Sequence, residues 1–461
     1  MFTVFITISR GSIARNILHS DAFRILRERG IRIVLLAPAW EDPQFQKEFG
    51  GENVAFVPLL DQRQNFLDRI IVGIAKGLVY NATTELRDRY GFLSRKETSP
   101  FRRFIKRLIF RPLRNVGWLK EMMRQIDAIL RPAREYDALF RAEHPGLIFV
   151  TNPTENADAR VMKAARRHGV KVVAMPKSWD NLPKLSLRVK PDLLLLWGKA
   201  LIPHALRYQH IEESRIRLVG VPQFDAMTDP KMAMTREEFF RSIGADPNRK
   251  LIVFGSEGKV TPGDPELAEI LAGMVERDEL GSPSQLYIRP YFALRGEEDK
   301  FRALAGRPNV IIDHWFTRTA GFRDSWDYTL EHARHFTNLM RHMDVMVCHA
   351  STLTLDAAVH NKPAVNLGFD GFTPKSYGDS VLRWYDSAHY ANIMAQKGSR
   401  LAKNPAELRE HLTAYLQNSS LDDEGRARLR EQYCFRSDGG AGRRIAEVLL
   451  PRSAVPAAGE S

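Results

Sequence analysis

The segment DVMVCHASTLTLDAAVHNKPAVNLG, residues 344–368, holds the densest set of groups able to do chemistry. Its apolar run ends at Cys348. His349, Ala350, Ser351 and Thr352 form a turn, and the pattern predicts a helix from Leu353 with Asp356 one turn in. The free N–H groups and positive dipole end of such a helix suit a phosphate. Ser351 and Thr352 add hydroxyl donors, and Asp356 is placed to accept from a ribose. The same residues also make an ordinary N-cap followed by a solvated Asp356. In FGSEGK, residues 254–259, Gly255 and Ser256 follow a strand, where small residues let a backbone approach a ligand or make a plain tight turn. That segment lacks Walker A spacing, and the chain has no GxGxxG. YIRPYF, residues 287–292, ends a strand at Arg289, which faces a ligand crevice or makes a surface salt bridge.

Two turns in the first half carry the remaining candidates. SRGSIAR brings Arg10, Gly11, Ser12 and Arg15 to a strand-to-helix turn, where Gly11 permits close approach and the arginines favour an anion. PKSWDNLPK gathers Lys177, Ser178, Trp179, Asp180 and Asn181 in one loop. An aromatic face beside planar polar groups suits a sugar, and Asp180 is the candidate general base for an acceptor hydroxyl, with Glu155 next. The competing account is an Asx-type turn around a packed Trp179. No C-x-x-C, H-E-x-x-H, EF-hand loop or D-x-D pair occurs, so no metal ligand and no cofactor is expected.

These turns need a rigid frame. FTVFITI reads as a buried parallel strand, IARNILHSDAFRILRERG as one amphipathic helix capped by Gly30, and IRIVLLAP as the next strand. Strand–helix–strand with short connections predicts a doubly wound α/β domain. Residues 62–140 differ, being helical in pattern, basic and aromatic. Within them, residues 101–124 carry Arg102, Arg103, Lys106, Arg107, Arg111, Arg114, Lys120 and Arg124, with Pro112 expected to split the stretch into two short helices. Alternation of strand and helix then resumes, pauses over a polar, Pro-containing linker at 222–250, and runs again to about Leu450. The expected organisation is a first domain at 1–220 with the insertion, a second at 221–450, and a disordered tail at 451–461.

Composition narrows the partners. Over 461 residues, 44% are hydrophobic and 27% charged, as in globular proteins, which excludes disordered and collagenous classes. A net charge of +13 calls for an anionic partner: nucleic acid, membrane lipid or a phosphorylated substrate. Two cysteines exclude a disulfide scaffold and point to a reducing compartment. No apolar run approaches the length of a membrane span, and the N-terminus has no basic leader, so no signal peptide is expected.

Four segments together resemble the GT-B glycosyltransferases, within the group of bacterial surface-carbohydrate and CDP-glycerol-type transferases. They are SWDN at 178–181, PDLLLLWG with RLVGVPQFD at 191–225, TREEFFRSIGADPNRKLIVFGS, and HASTLTLDAAVHNKPAV. The resemblance covers roughly residues 145–370. It implies an α/β fold of two Rossmann-like doubly wound domains facing a cleft, with the donor nucleotide on the second and the acceptor on the first. It implies no obligatory metal. Ser351 and Thr352 would contact the pyrophosphate and Asp356 the ribose, with Gly255, Ser256, Arg289 and His349 around them; Arg10, Gly11, Ser12, Lys177, Trp179 and Asn181 would face the acceptor. Tyr291 stands where relatives often carry His, and Asp356 where many carry Glu, which weakens the CDP-glycerol reading. The expectation is transfer of a sugar from a nucleotide diphosphate to a hydroxyl of a glycan or lipid-linked acceptor. The enzyme would sit cytoplasmic and peripheral on the inner membrane face, with Arg102, Arg103, Lys106 and Arg107 meeting anionic headgroups. Open alternatives are a glycerophosphate-type transferase, a UDP-N-acetylglucosamine 2-epimerase-like enzyme, and a nucleic-acid-binding protein. For the last, no binding motif is present.

Overall fold

The computed structural model describes residues 1–61, 65–91, 99–319 and 321–451. The side chains of Arg102 and Arg103, and the tail from residue 452, lie outside the described residues. Seven strands form the first sheet: β1 (Thr3–Thr7), β2 (Arg32–Ala37), β3 (Val54–Pro58), β4 (Leu147–Val150), β5 (Lys171–Ala174), β6 (Leu193–Leu196) and β7 (Ile216–Leu218). Six form the second: β8 (Lys250–Gly255), β9 (Ser284–Arg289), β10 (Val310–Ile312), β11 (Val345–Cys348), β12 (Ala364–Leu367) and β13 (Arg400–Ala402). The orders are β3-β2-β1-β4-β5-β6-β7 and β10-β9-β8-β11-β12-β13. Every pairing is parallel. Runs such as VFIT and LIVF can be apolar on both faces because helices cover both sides of each sheet. The expected pair of doubly wound α/β domains is therefore the observed architecture.

Register decides which turns meet. Gly255 pairs with both Arg289 and Cys348, so the loops after β8, β9 and β11 leave the second sheet side by side. In the first sheet Thr7 aligns with Val150, and Val150 with Ala174, so the loops after β1, β4 and β5 do the same. Each domain thus presents a set of carboxyl-end loops to the crevice between them.

Local chemistry departs from the sequence expectation in two places. The first helix is two, Gly11–Leu18 and Asp21–Glu28. Ser20 breaks it: its hydroxyl donates to Ile17 O (2.7 Å) and accepts from the Ala22 N–H (3.3 Å), closing one helix and capping the next. Pro112 does not split the basic stretch. It lies in the last turn of a single helix, Pro100–Leu113, and the chain turns at Asn115, whose φ is 57°. A second helix, Gly117–Leu130, follows. The linker is packed rather than loose. It contains helices Pro222–Thr228 and Arg236–Ile243, the latter with a Thr235/Glu238 capping box and buried Phe239, Phe240 and Ile243. The chain also returns. Its last helix, Ala441–Leu449, lies on Asp21–Glu28 of the first domain, so close that a Cβ on Gly442 would stand 2.8 Å from the Ala22 nitrogen.

Candidate active site

Where the two domains meet, charge is buried. Asp356 sits in the seven-residue helix Leu353–Val359 and is 4% exposed. Its Oδ1 accepts from Gln223 Nε2 (3.3 Å), and Gln223 Oε1 accepts from Asn16 Nδ2 (2.6 Å). A three-residue relay therefore joins the second domain, the linker helix and the first domain. Arg15 and Arg289 act on the Asp356 carboxyl through their fields and share two aromatic neighbours. Arg15 Cζ lies 5.4 Å from the Trp326 ring centroid and 5.7 Å from that of Phe336. Arg289 Cζ lies 5.7 and 5.0 Å from the same two rings. Burial pushes the Asp356 carboxyl up to about 7, even against the fields of Arg15 and Arg289. Burial, then Arg289, lowers Arg15 to about 10. Glu257, in the loop after β8, is likewise raised by burial. A carboxyl group near neutrality is thus buried within the fields of two guanidinium groups that burial also perturbs.

The remaining second-domain candidates form the wall behind this cluster. Gly255 packs closely under the next helix: a Cβ there would stand 2.2 Å from Leu353 Cδ1, so that side chain would have to shift. Ser351 Oγ accepts from the Leu353 N–H (3.3 Å), so it caps its own helix. Ser256 and His349 are held by Asp264, which no local motif marks. Asp264 accepts from Ser256 Oγ (2.5 Å), Thr261 Oγ1 (2.6 Å), the Glu257 N–H (3.1 Å) and His349 Nε2 (2.8 Å). His349, 2% exposed, is thereby a strut of the β8 loop.

The first-domain candidates are placed differently from expectation. Trp179, expected to offer an open ring to a sugar, is 2% exposed. Its ring packs against His389, Tyr390 and Tyr433, and its Nε1–H donates to Thr352 Oγ1 (3.2 Å). The packed-tryptophan account is the one observed, with the ring serving domain contact. Asn181 Oδ1 accepts from the Ser178 N–H (3.0 Å) and closes the turn. Asp180 is ion-paired with Lys184. Burial alone would raise its carboxyl, but Lys184 and His389 outweigh that and hold it well below the ordinary carboxylate range, which makes it a weak base in this form. Glu155 is tied to Arg10 (3.1 Å) and Arg323 (3.8 Å). Lys177 is exposed, beside a cavity of about 20 Å³ shared with Asn16 and Gln223.

The anion expected at Gly11 and Ser12 is the protein's own. Asp324, in the loop after β10, accepts from the Gly11 N–H (2.8 Å), the Ser12 N–H (3.4 Å) and Ser12 Oγ (3.0 Å). Its neighbours fasten the same loop to the first domain. Arg323 pairs with Asp61, and Tyr328 OH donates to Asp42 (3.2 Å). The Phe322 and Tyr328 rings pack edge-on against Phe45. Asp324→Ala is expected to cost about 1 kcal/mol as a lost cap and to widen the distance distribution between spin labels placed one on each domain. An unchanged distribution would show that this loop does not hold the cleft shut.

No protein-family model and no curated protein matches the sequence. Solved structures match over nearly the whole chain. UDP-GlcNAc 2-epimerase from Neisseria meningitidis, bound to UDP-GlcNAc, superposes with a TM-score of 0.56 at 12% identity, covering 97% of this chain and 99% of that one. The UDP-GlcNAc 2-epimerase of Methanocaldococcus jannaschii gives 0.53 at 13%, covering 97% and 99%. A glycosyltransferase from Rickettsia africae gives 0.52 at 10%, covering 97% of each chain. At these identities the likeness is one of fold. The chain has the GT-B architecture of two Rossmann-like domains facing a cleft, as the sequence resemblance implied.

Proposed function

We propose that the protein is a glycosyltransferase that takes a sugar from a nucleotide diphosphate donor and works at an anionic membrane surface. The observation that carries the donor half is Asp356, buried at the domain boundary, bonded to Gln223 and within the fields of Arg15 and Arg289. Arg289 and Arg15 offer charge to a diphosphate, and Asp356 accepts from ribose hydroxyls when ionised. Nucleotide-sugar epimerases share the fold, and UDP-GlcNAc occupies one of them. An epimerase is therefore the second reading; it needs no separate acceptor. Neither reading rests on Asp180 as base, since that role requires Lys184 to leave.

Thermal-shift screening against UDP, GDP, CDP, CMP and their sugars identifies the nucleotide. Asp356→Ala is then expected to weaken it by about 1–3 kcal/mol, measured by calorimetry. In the wild type, affinity should rise between pH 6 and pH 8, because the accepting carboxylate forms only as pH passes about 7. Equal affinity for wild type and variant sinks the ribose assignment.

The membrane half is supported by the insertion. Phe66, Phe101, Phe104, Leu108, Trp118 and Ile129, on helices Phe66–Gly77, Pro100–Leu113 and Gly117–Leu130, are 63–77% exposed. All six lie on the insertion, and so many exposed apolar side chains on one segment favour an interaction surface. Among the described residues no helix is long and apolar enough to cross a membrane. The charged side of the expectation needs correcting at two positions. Lys120 donates to Tyr208 O (2.6 Å) and Arg124 to Leu187 O (3.0 Å) and Gln209 O (2.8 Å), so both point inward and anchor the insertion. Lys106 and Arg107 are exposed and pair with Asp88 and Glu85, which exposed pairs release at little cost. Full-length protein is expected to pellet with anionic vesicles at low salt and less at high salt. Changing Phe101, Phe104 and Leu108 together to Ser should release it while leaving nucleotide binding intact; equal pelleting refutes the surface.

A further inference from the structure

Helix Ala82–Tyr90 of the insertion reaches across the domain boundary. On the first-domain side its cap, Asn81, donates from Nδ2 to Pro183 O (2.7 Å). On the second-domain side Thr83, 1% exposed, accepts from the Ala388 N–H (3.0 Å) and lies 3.0 Å from His389 Nδ1. Arg383 donates to Tyr90 O (3.2 Å), and the Tyr90 and Tyr377 rings meet edge-on at 5.7 Å. These contacts continue toward the candidate site. The His389 ring packs on Trp179, whose Nε1–H donates to Thr352, and Tyr390 OH shares a hydrogen bond with Thr354 Oγ1 (2.8 Å) in the helix that carries Asp356. The insertion helix also has an opposite face. Thr83 and Tyr90, seven residues apart, share one side, and Glu85 and Asp88 fall about half a turn away. There Asp88 holds Lys106 (3.1 Å) and Glu85 holds Arg107 (3.4 Å) of helix Pro100–Leu113, which exposes Phe101, Phe104 and Leu108.

We infer that an anionic membrane surface strengthens nucleotide binding through this helix; the inference rests on the transferase reading and adds regulation to the same site. Asp356, Gln223 and Asn16 come from the second domain, the linker and the first domain, so a nucleotide at this cluster is gripped by the closed cleft. The bonds of Thr83 and Tyr90 to the second domain belong to that closed form and break as the cleft opens. Anionic headgroups compete for Lys106 and Arg107, whose exposed pairs yield at little cost. Among the described residues Asp88 is then left without a partner, and Glu85 keeps Arg89 at 4.0 Å. Both carboxylates face a negative surface and are repelled by it. That repulsion presses the opposite side, with Thr83 and Tyr90, onto the second domain and favours the closed cleft. Such coupling is reciprocal, so bound nucleotide tightens the hold on the membrane by the same factor.

The test uses full-length protein, with UDP, GDP and CDP as probes in equilibrium dialysis. Each is titrated alone, with vesicles of phosphatidylglycerol and phosphatidylcholine in equal parts, and with vesicles of phosphatidylcholine only. The nucleotide that binds should bind about fivefold more tightly on the anionic vesicles, with no gain on the neutral ones and a gain that fades at high salt. Glu85→Gln combined with Asp88→Asn should pellet with anionic vesicles and bind nucleotide in solution as the wild type does, yet show no gain. Thr83→Val keeps the shape, removes the bonds to the second domain and should lose the gain as well; the partly exposed carboxylate pair carries the test should that variant fail to fold. Unchanged or weaker nucleotide binding while the protein pellets, an equal gain on neutral vesicles, or a gain retained without the two carboxylates overturns the inference. Nucleotide binding without pelleting refutes the membrane half of the transferase reading, pelleting without any nucleotide bound refutes the donor half, and the inference falls with either.

Discussion

Asp127→Ala is expected to destabilise the protein by about 3–5 kcal/mol, the cost of leaving buried cations without their counter-ion. Asp127 is 1% exposed, in the insertion helix Gly117–Leu130. It accepts from Arg188 at both oxygens (2.6 and 2.8 Å) and from Lys163 Nζ (2.7 Å). Arg188 is 7% exposed and Lys163 3%, so neither reaches water when the carboxylate goes. Burial would raise the Asp127 carboxyl, but Arg188 and Lys163 outweigh it and hold it below 3.8. Its contribution is therefore present above pH 4 and lost as pH falls through the folded value. Urea denaturation at pH 7 measures the effect. Asp127→Asn, which keeps the shape and removes the charge, should fall between wild type and alanine. A loss under about 1 kcal/mol for the alanine variant would mean that Asp68, 3.6 Å from Arg188, already carries the pair.

The opposite sign is expected at Asp158. This residue is 0% exposed under the carboxyl ends of β1 and β4, and its Oδ1 accepts from Thr7 Oγ1. Burial is the main cause that pushes it from 3.8 up to about 7. The native state therefore binds this proton more tightly than the unfolded chain, so the contribution of Asp158 to stability is most favourable below pH 4, falls as pH rises, and levels off above 7. The full displacement corresponds to roughly 4 kcal/mol. Asp158→Asn keeps the acceptor for Thr7 and cannot ionise. It should stabilise the protein at pH 8 by up to that amount and flatten the profile between pH 4 and 7. A variant less stable than wild type at pH 8 would show that the ionised carboxylate is instead bound favourably.

Much of this molecule is legible in its sequence because it depends on local rules. Both sheets follow from buried apolar runs, and Asp356 was placed by the strand–turn–helix pattern around it. What escaped depends on partners far along the chain. Lys120 and Arg124 sit on an amphipathic helix and read as solvated, yet carbonyls at 187, 208 and 209 capture them. Asp324 carries no local mark of its role, because the N–H groups it caps lie more than three hundred residues earlier. Trp179 beside Asp180 and Asn181 has the composition of a sugar site, but only the approach of His389 and Tyr433 decides that its ring is covered. Ser20 is a local exception, since a serine before Asp-Ala is a helix start inside what reads as a continuous helix.

The chain passes between the domains twice, and the two passages touch. Asp225, in the outgoing helix, accepts from the Ala441 and Gly442 N–H groups of the returning one (3.1 and 2.6 Å), and a Cβ on Gly439 would stand 3.0 Å from Thr228 Oγ1. A single connection would leave one body free to swivel, slide and tilt against the other. Two adjoining connections act as the leaves of a door hinge: sliding and swivelling are removed, and one rotation about the line through both passages remains.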